Sequence, residues 1–160
     1  MVIRPLTGGD DLMPFLIGAM DWRDDGAWTA DIVLSTPAVA HYIDGWMRDG
    51  DAGVIAEGGG FAEGAAWWRT FAAPDCGYGY VADDVPEIGL AVLESARGRG
   101  VGSALLGALV ANARALGMRG LSLSVEDGND AARRLYERAG FEVCGRDGNS
   151  DTMVLWLAQA

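Results

Sequence analysis

The alternation of apolar and polar positions along this chain changes period several times, and each change predicts an element. VIRPL (2–6) reads as a short strand. Residues 10–20 predict a helix, with Leu12, Phe15, Leu16 and Met20 roughly on one face. A second helix is expected after Thr36-Pro37 and runs to about Met47, because Thr caps a helix and Pro suits its first position. AGVIAE (52–57), FAEGAAWWRTF (61–71) and EIGLAVLE (87–94) read as strands, with EGGG (57–60) as a hairpin turn and 74–86 as a loop.

The second half has a sharper pattern. From 102 to about 116, Leu105, Leu106, Leu109, Val110 and Leu116 form a helical stripe, and Gly117 is a natural stop. LSLSV (121–125) alternates as a half-buried strand does. Asn129 or Asp130 caps a further helix, in which Ala132, Leu135, Tyr136 and Ala139 share a face and Gly140 ends the run. FEVCGR (141–146) and MVLWL (153–157) predict two last strands. The order β-α-α-β-β-β-α-β-α-β-β implies an α/β (α+β) fold with helices around one mixed sheet. No repeat or linker interrupts it, so residues 1–160 are expected to form a single domain.

Composition narrows the classes. Half of the residues are hydrophobic, so a folded core is expected, yet no apolar run approaches the roughly 20 residues of a membrane span. The opening MVIRPLTGGDD has no apolar leader pattern, and a cytoplasmic location is expected. Cys76 and Cys144 form no C-x-x-C pair and His41 is the single histidine, so no metal site is expected and the thiols are read as reduced. The net charge is −11, and it is uneven: residues 1–95 hold four arginines against sixteen acids, residues 96–160 eight against seven. Such a chain repels nucleic acid and anionic membrane on its N-terminal side and suits a cationic partner.

The candidate chemistry lies in RGRGVGSALL (97–106). Glycines at 98, 100 and 102 allow close backbone approach, and a helix start directly after them presents unpaired N–H groups and the positive dipole end. This is a phosphate cradle. It is not a Walker loop, which ends in Gly-Lys-Ser/Thr, since the chain has no lysine; nor is it G-x-G-x-x-G, since the last position holds Ser103 or Leu105.

Arg97-Gly98-Arg99-Gly100-Val101-Gly102 resembles the Arg/Gln-x-x-Gly-x-Gly/Ala pattern of the GNAT superfamily of acyl-CoA-dependent N-acyltransferases. A second stretch, NDAARRLYERAGF (129–141), matches every fixed position of that family's N-x-x-A-x-x-L-Y-E-x-x-G-F. The close resemblance covers about 86–145. It implies a central mixed, mostly antiparallel sheet flanked by helices, and acetyl-CoA or another acyl-CoA as co-substrate. Before residue 86 only the order of elements fits, so the resemblance identifies the donor better than the acceptor.

The resemblance also implies roles. The pyrophosphate would rest on backbone N–H groups from Arg97 to Gly102, with the side chains of Arg97, Arg99 and Ser103 as further contacts. The pantetheine arm would lie along Leu90, Ala91, Val92 and Leu93 by main-chain hydrogen bonds. An N–H near Val92 would steady the developing oxyanion. Asn129 would contact the arm, and Tyr136 would act as the acid toward the leaving thiolate; its bare alternative is a core aromatic. Glu87 is the candidate base, directly or through water, against the alternative of a solvated strand-end carboxylate; Glu63 and His41 are weaker candidates. Trp22 or Trp28, fringed by Asp21, Asp24, Asp25 and Asp31, would suit a cationic amine. A small-molecule amine is the expected acceptor, with a protein amine or a non-catalytic acyl-CoA sensor as alternatives, and a homodimer is possible.

Overall fold

The strands expected from the hydrophobic pattern pair into one seven-stranded sheet in a computed structural model that describes residues 1–72 and 74–157. They are β1 (Val2–Pro5), β2 (Ala52–Gly58), β3 (Phe61–Arg69), β4 (Glu87–Val92), β5 (Gly120–Glu126), β6 (Glu142–Asp147) and β7 (Ser150–Trp156). The spatial order is β1-β2-β3-β4-β5-β7-β6. Every neighbouring pair is antiparallel except β4 and β5, which are parallel. The helices are α1 (Met13–Met20), α2 (Ala30–Leu34), α3 (Pro37–Ala40), α4 (Val101–Ala115) and α5 (Asp130–Ala139). None among the described residues is long and apolar enough to cross a membrane.

Strand alternation divides the core into two layers. On one face of the sheet, Ile88 of β4 and Leu121, Leu123 and Val125 of β5 meet Leu105, Leu106 and Leu109 of α4 and Tyr136 of α5. On the other face, Trp67 and Ala91 meet Phe15 and Leu16 of α1 and Val33, Val39 and Tyr42. The sheet is therefore covered on both sides where β3, β4 and β5 lie side by side.

Several expectations are corrected. Among its described residues the first half holds three helices, not two: Thr29 Oγ1 accepts from Ile32 N–H at 3.3 Å and opens the unexpected α2. The helix after Thr36 stops at Ala40, well short of Met47. The reason is the buried Arg69, whose guanidinium takes the carbonyls of His41 (2.9 Å) and Asp44 (2.6 Å). β5 is not half-buried, since Ser122 is fully enclosed. Leu116 lies beyond the end of α4 and is 67% exposed, so it does not extend the stripe. Ala139 is exposed as well, leaving Tyr136 as the buried residue of α5.

Candidate active site

The parallel strands β4 and β5 pair at one register position, Glu87 opposite Ser122, closed by Ser122 N–H to Pro86 O at 2.9 Å. β4 then continues to Val92 and β5 to Glu126 without further pairing. The result is a fork with an open backbone edge. Leu93 N–H donates to Glu63 O on β3 at 2.8 Å. Backbone groups alternate in direction along a strand, so those of Ala91 also face β3, and those of Leu90 and Val92 face the fork. Of the four expected arm-binding residues, the geometry opens Leu90 and the N–H of Val92, whose carbonyl accepts from Arg97 Nε at 3.2 Å, and engages Ala91 and Leu93 on the β3 side.

The glycine turn follows directly. Gly98 and Gly100 both have φ of +77°, and Gly100 is the residue before α4. Such a backbone is left-handed and favours glycine. A Cβ on either would meet nothing within 4 Å, so conformation and not crowding demands glycine there. Gly102 is helical, and a Cβ would sit 3.4 Å from Leu135 Cδ2. The Val101 side chain is buried in the core, which leaves its backbone for a ligand, while Ser103 is exposed on the first turn. Arg97 and Arg99 are both committed to acids: Arg97 Nη1 to Asp24 at 2.8 Å and Arg99 Nη2 to Glu63 at 2.7 Å.

Glu87 is 3% exposed, so the solvated alternative is overturned. Its Oε1 accepts from Gly79 N–H at 2.7 Å and from the Tyr42 hydroxyl at 3.0 Å. Its Oε2 is buried with no hydrogen-bond partner. Burial pushes the carboxyl up to about 7; the Gly79 and Tyr42 donors, with a weaker pull from Gly77, oppose it. A buried carboxyl that titrates near neutrality with one oxygen free fits the requirement for proton exchange.

Tyr136 lies on the other face of the sheet from Glu87, 7% exposed, with its ring edge-on to Phe141 at 5.8 Å. Desolvation pushes its phenol up to about 12. Asn129 caps α5, its Oδ1 accepting from Ala132 N–H at 3.4 Å.

The weaker candidates are occupied elsewhere. Glu63 holds Arg99, and His41 Nδ1 lies 2.8 Å from Asp75 Oδ1 with its ring packed on Phe71. Both cysteines are free thiols. The ring of Trp22 is covered by the Arg23 guanidinium at 4.1 Å, and its Nε1 donates to Glu126 at 2.9 Å. That face of Trp22 is therefore taken by the chain's own cation.

Residues that sequence reasoning missed surround Glu87. Tyr42, Gly77 and Gly79 come from segments read as helix and loop. A Cβ on Gly77 would fall 1.9 Å from Glu87 Oε2, and one on Gly79 would fall 2.4 Å from the Leu123 carbonyl carbon. The GYGY run (77–80) carried a signal for this, since alternate glycines mark close backbone approach.

The comparisons with known proteins bear on the family and the fold. The description of the acetyltransferase (GNAT) family matches residues 20–141. The chain belongs to that family. A 55-residue segment is 42% identical to L-methionine sulfoximine/L-methionine sulfone acetyltransferase of Pseudomonas aeruginosa, covering 34% of this chain and 32% of that protein. A 50-residue segment is 46% identical to mycothiol acetyltransferase of Propionibacterium freudenreichii, covering 31% and 16%. The chain thus matches a third or less of each relative's length. Among solved structures, a GNAT superfamily phosphinothricin acetyltransferase from Sinorhizobium meliloti, in complex with acetyl-CoA, superposes with TM-score 0.67 at 21% identity, covering 98% and 88%. The GNAT domain of S. lividans PAT superposes with TM-score 0.71 at 24% identity, covering 97% and 89%. These two show the fold.

Proposed function

We propose that this GNAT protein transfers an acetyl group from acetyl-CoA directly to the amine of a small molecule. The observation that carries the reading is the fork between β4 and β5, which opens between Glu87 and the glycine turn. Its residues fit the donor: an unpaired strand edge for an amide-bearing arm, then backbone N–H groups at a helix start for a pyrophosphate. The bound thioester supplies an acyl carbon open to attack by nitrogen.

The chain's own groups then divide the work. Leu90 and Val92 hold the arm through their fork-facing backbone, and the Val92 N–H steadies charge developing on the acyl oxygen. N–H groups from Gly98 to Gly102 and the Ser103 hydroxyl hold phosphate, and Arg97 and Arg99 add charge once released from Asp24 and Glu63. Asn129 caps α5 and is assigned the arm contact that the resemblance implies. Glu87 Oε2 accepts the amine proton, directly or through water, because a nitrogen must lose its proton to form the amide. Tyr136 stays protonated over the whole working range and donates to the departing sulfur. The two relatives that act on small molecules support that acceptor class, and the acidic N-terminal half supports an amine that arrives as a cation.

Acetyl-CoA binding by calorimetry to the purified protein, with NADH and ATP as controls, tests the donor. An amine panel scored by thiol release tests the reaction. Selective binding of acetyl-CoA with amine-dependent thiol release is expected. Tyr136→Phe is expected to lower kcat by about 10²-fold with the Kd for acetyl-CoA little changed. Absence of binding by the folded protein would overturn the reading.

A further inference from the structure

Glu87 has two oxygens in different circumstances, and Tyr42 makes the difference. The Tyr42 hydroxyl accepts from Tyr78 N–H at 2.8 Å, so its own proton is directed at Glu87 Oε1, 3.0 Å away. Tyr42 is itself fixed. Its carbonyl accepts from Trp67 Nε1 at 3.1 Å, and its ring is edge-on to Phe71 and stacked with Tyr78. With Gly79 N–H also on Oε1, that oxygen holds two hydrogen bonds, while Oε2 is buried without one and has only the weaker influence of the Gly77 backbone near it. A second orphan sits at the paired register position. Ser122 is the register partner of Glu87, its side chain on the same face of the sheet, and its Oγ is buried without a partner.

From this arrangement we infer that Tyr42 is a positioning residue that locks the Glu87 carboxylate through Oε1 and thereby makes Oε2 the atom that exchanges the proton. The inference rests on the reading of Glu87 as the base. The remaining groups around the carboxylate do not perform this task. Arg69, opposite Glu87 on β3, is bound to Asp51. From the segment before β2, His41 is engaged with Asp75; from the covering loop, Tyr78 gives its backbone N–H to Tyr42 and Gly77 acts on the carboxyl more weakly than Gly79 and Tyr42. β5 contributes the neutral Ser122. The influences on Glu87 are burial and hydrogen bonding, with no neighbouring charge among them.

A donor to the ionised form lowers a carboxyl's pKa, so removing it has a signed consequence. Tyr42→Phe keeps the ring and deletes the hydroxyl. It is expected to raise the titration midpoint of Glu87 by about one pH unit. Two readouts check this: the side-chain carboxyl resonance of Glu87 in a ¹³C NMR titration of the protein without acetyl-CoA, and the acidic limb of kcat/KM for amine acetylation. Both are expected to move up together, with Glu87→Gln removing the resonance and the limb.

Three results separate the possibilities. If Glu87→Gln keeps the acidic limb, the reading of Glu87 as base fails. If it removes the limb but Tyr42→Phe shifts neither limb nor resonance, the inference about Tyr42 is overturned while the base stands. Loss of thermal stability in Tyr42→Phe with an unmoved midpoint would make the hydroxyl merely structural. Should Tyr42→Phe disturb the fold, 3-fluorotyrosine at position 42 supplies a second approach, since it keeps the ring and the hydroxyl and makes that hydroxyl a stronger donor to Oε1. The Glu87 midpoint is then expected to fall; an unmoved midpoint would overturn the inference.

Discussion

Arg97 Nη1 lies 2.8 Å from Asp24 Oδ2 and ties the glycine turn before α4 to the acidic segment between α1 and α2. The same side chain donates from Nε to Val92 O at 3.2 Å, on the open edge of β4. One guanidinium thus spans the two surfaces on which donor and acceptor would meet. Phosphate at the helix start would compete with Asp24 for it. An exposed pair contributes about 0.2–1 kcal/mol. Asp24→Asn is therefore expected to tighten acetyl-CoA binding by up to about fivefold, and Arg97→Ala to weaken it. Calorimetric Kd values for the three proteins check this; no change in either variant would mean that Arg97 stays clear of the donor.

The glycine turn gives a prediction about backbone alone. Alanine at Gly98 or Gly100 clashes with nothing but must adopt a left-handed backbone, at a cost of roughly 1–2 kcal/mol. Each variant is expected to lose a few degrees of Tm and, more sharply, acetyl-CoA affinity, because relaxing the turn re-aims its N–H groups. Gly107→Ala is the contrast, since this helical glycine also meets nothing within 4 Å. It is expected to gain up to about 1 kcal/mol of stability. Differential scanning calorimetry separates the two kinds of glycine.

The buried Glu87 makes stability depend on pH with a definite sign. Its carboxyl titrates near 7 when folded, against 4.5 for the ordinary value, so between these pH values the folded state holds a proton that the unfolded state has released. Stability contributed by this group is present below about pH 4.5 and declines as pH rises through 7. Glu87→Gln abolishes that decline, and Gln Oε1 still accepts from Tyr42 and Gly79. The variant is expected to gain on the parent by on the order of 2–3 kcal/mol between pH 5 and pH 8. Parallel Tm-against-pH curves for the two proteins would show the assignment to be mistaken.

Arg69 and Asp51 form a bidentate pair whose side chains are 1% and 2% exposed. Asp51 also accepts from Arg48 N–H, and Arg69 gathers the carbonyls of His41 and Asp44 around the segment that carries Tyr42. Asp51→Ala leaves a buried guanidinium uncompensated and is expected to cost about 3–5 kcal/mol. Urea denaturation measures it. Replacing both partners with apolar residues of similar volume is expected to recover much of that loss, although it would free the carbonyls that Arg69 holds.

The glycine turn and α5 were legible in the chain because their signals are local. The turn of 97–102 must be glycine where φ is positive, and α5 must carry its cap at Asn129 and its stop at Gly140, within a few residues of one another. The strands and α4 follow from short-range periodicity. The surroundings of Glu87 were mostly not legible, because Tyr42 and Ser122 reach it from segments 45 and 35 residues away through contacts that no local pattern encodes, and the GYGY run marks close backbone approach near Gly79 without saying to what. The same holds for α3: capping and propensity favour a helix running on from Thr36, and a buried charge from β3 ends it at Ala40. By itself, then, the sequence determined the family, the glycine turn before α4 and the order of most elements. Only the tertiary structure decided the burial of Glu87, which of its oxygens is free, and how far its carboxyl is shifted, because desolvation depends on everything packed around a group and not on its neighbours along the chain.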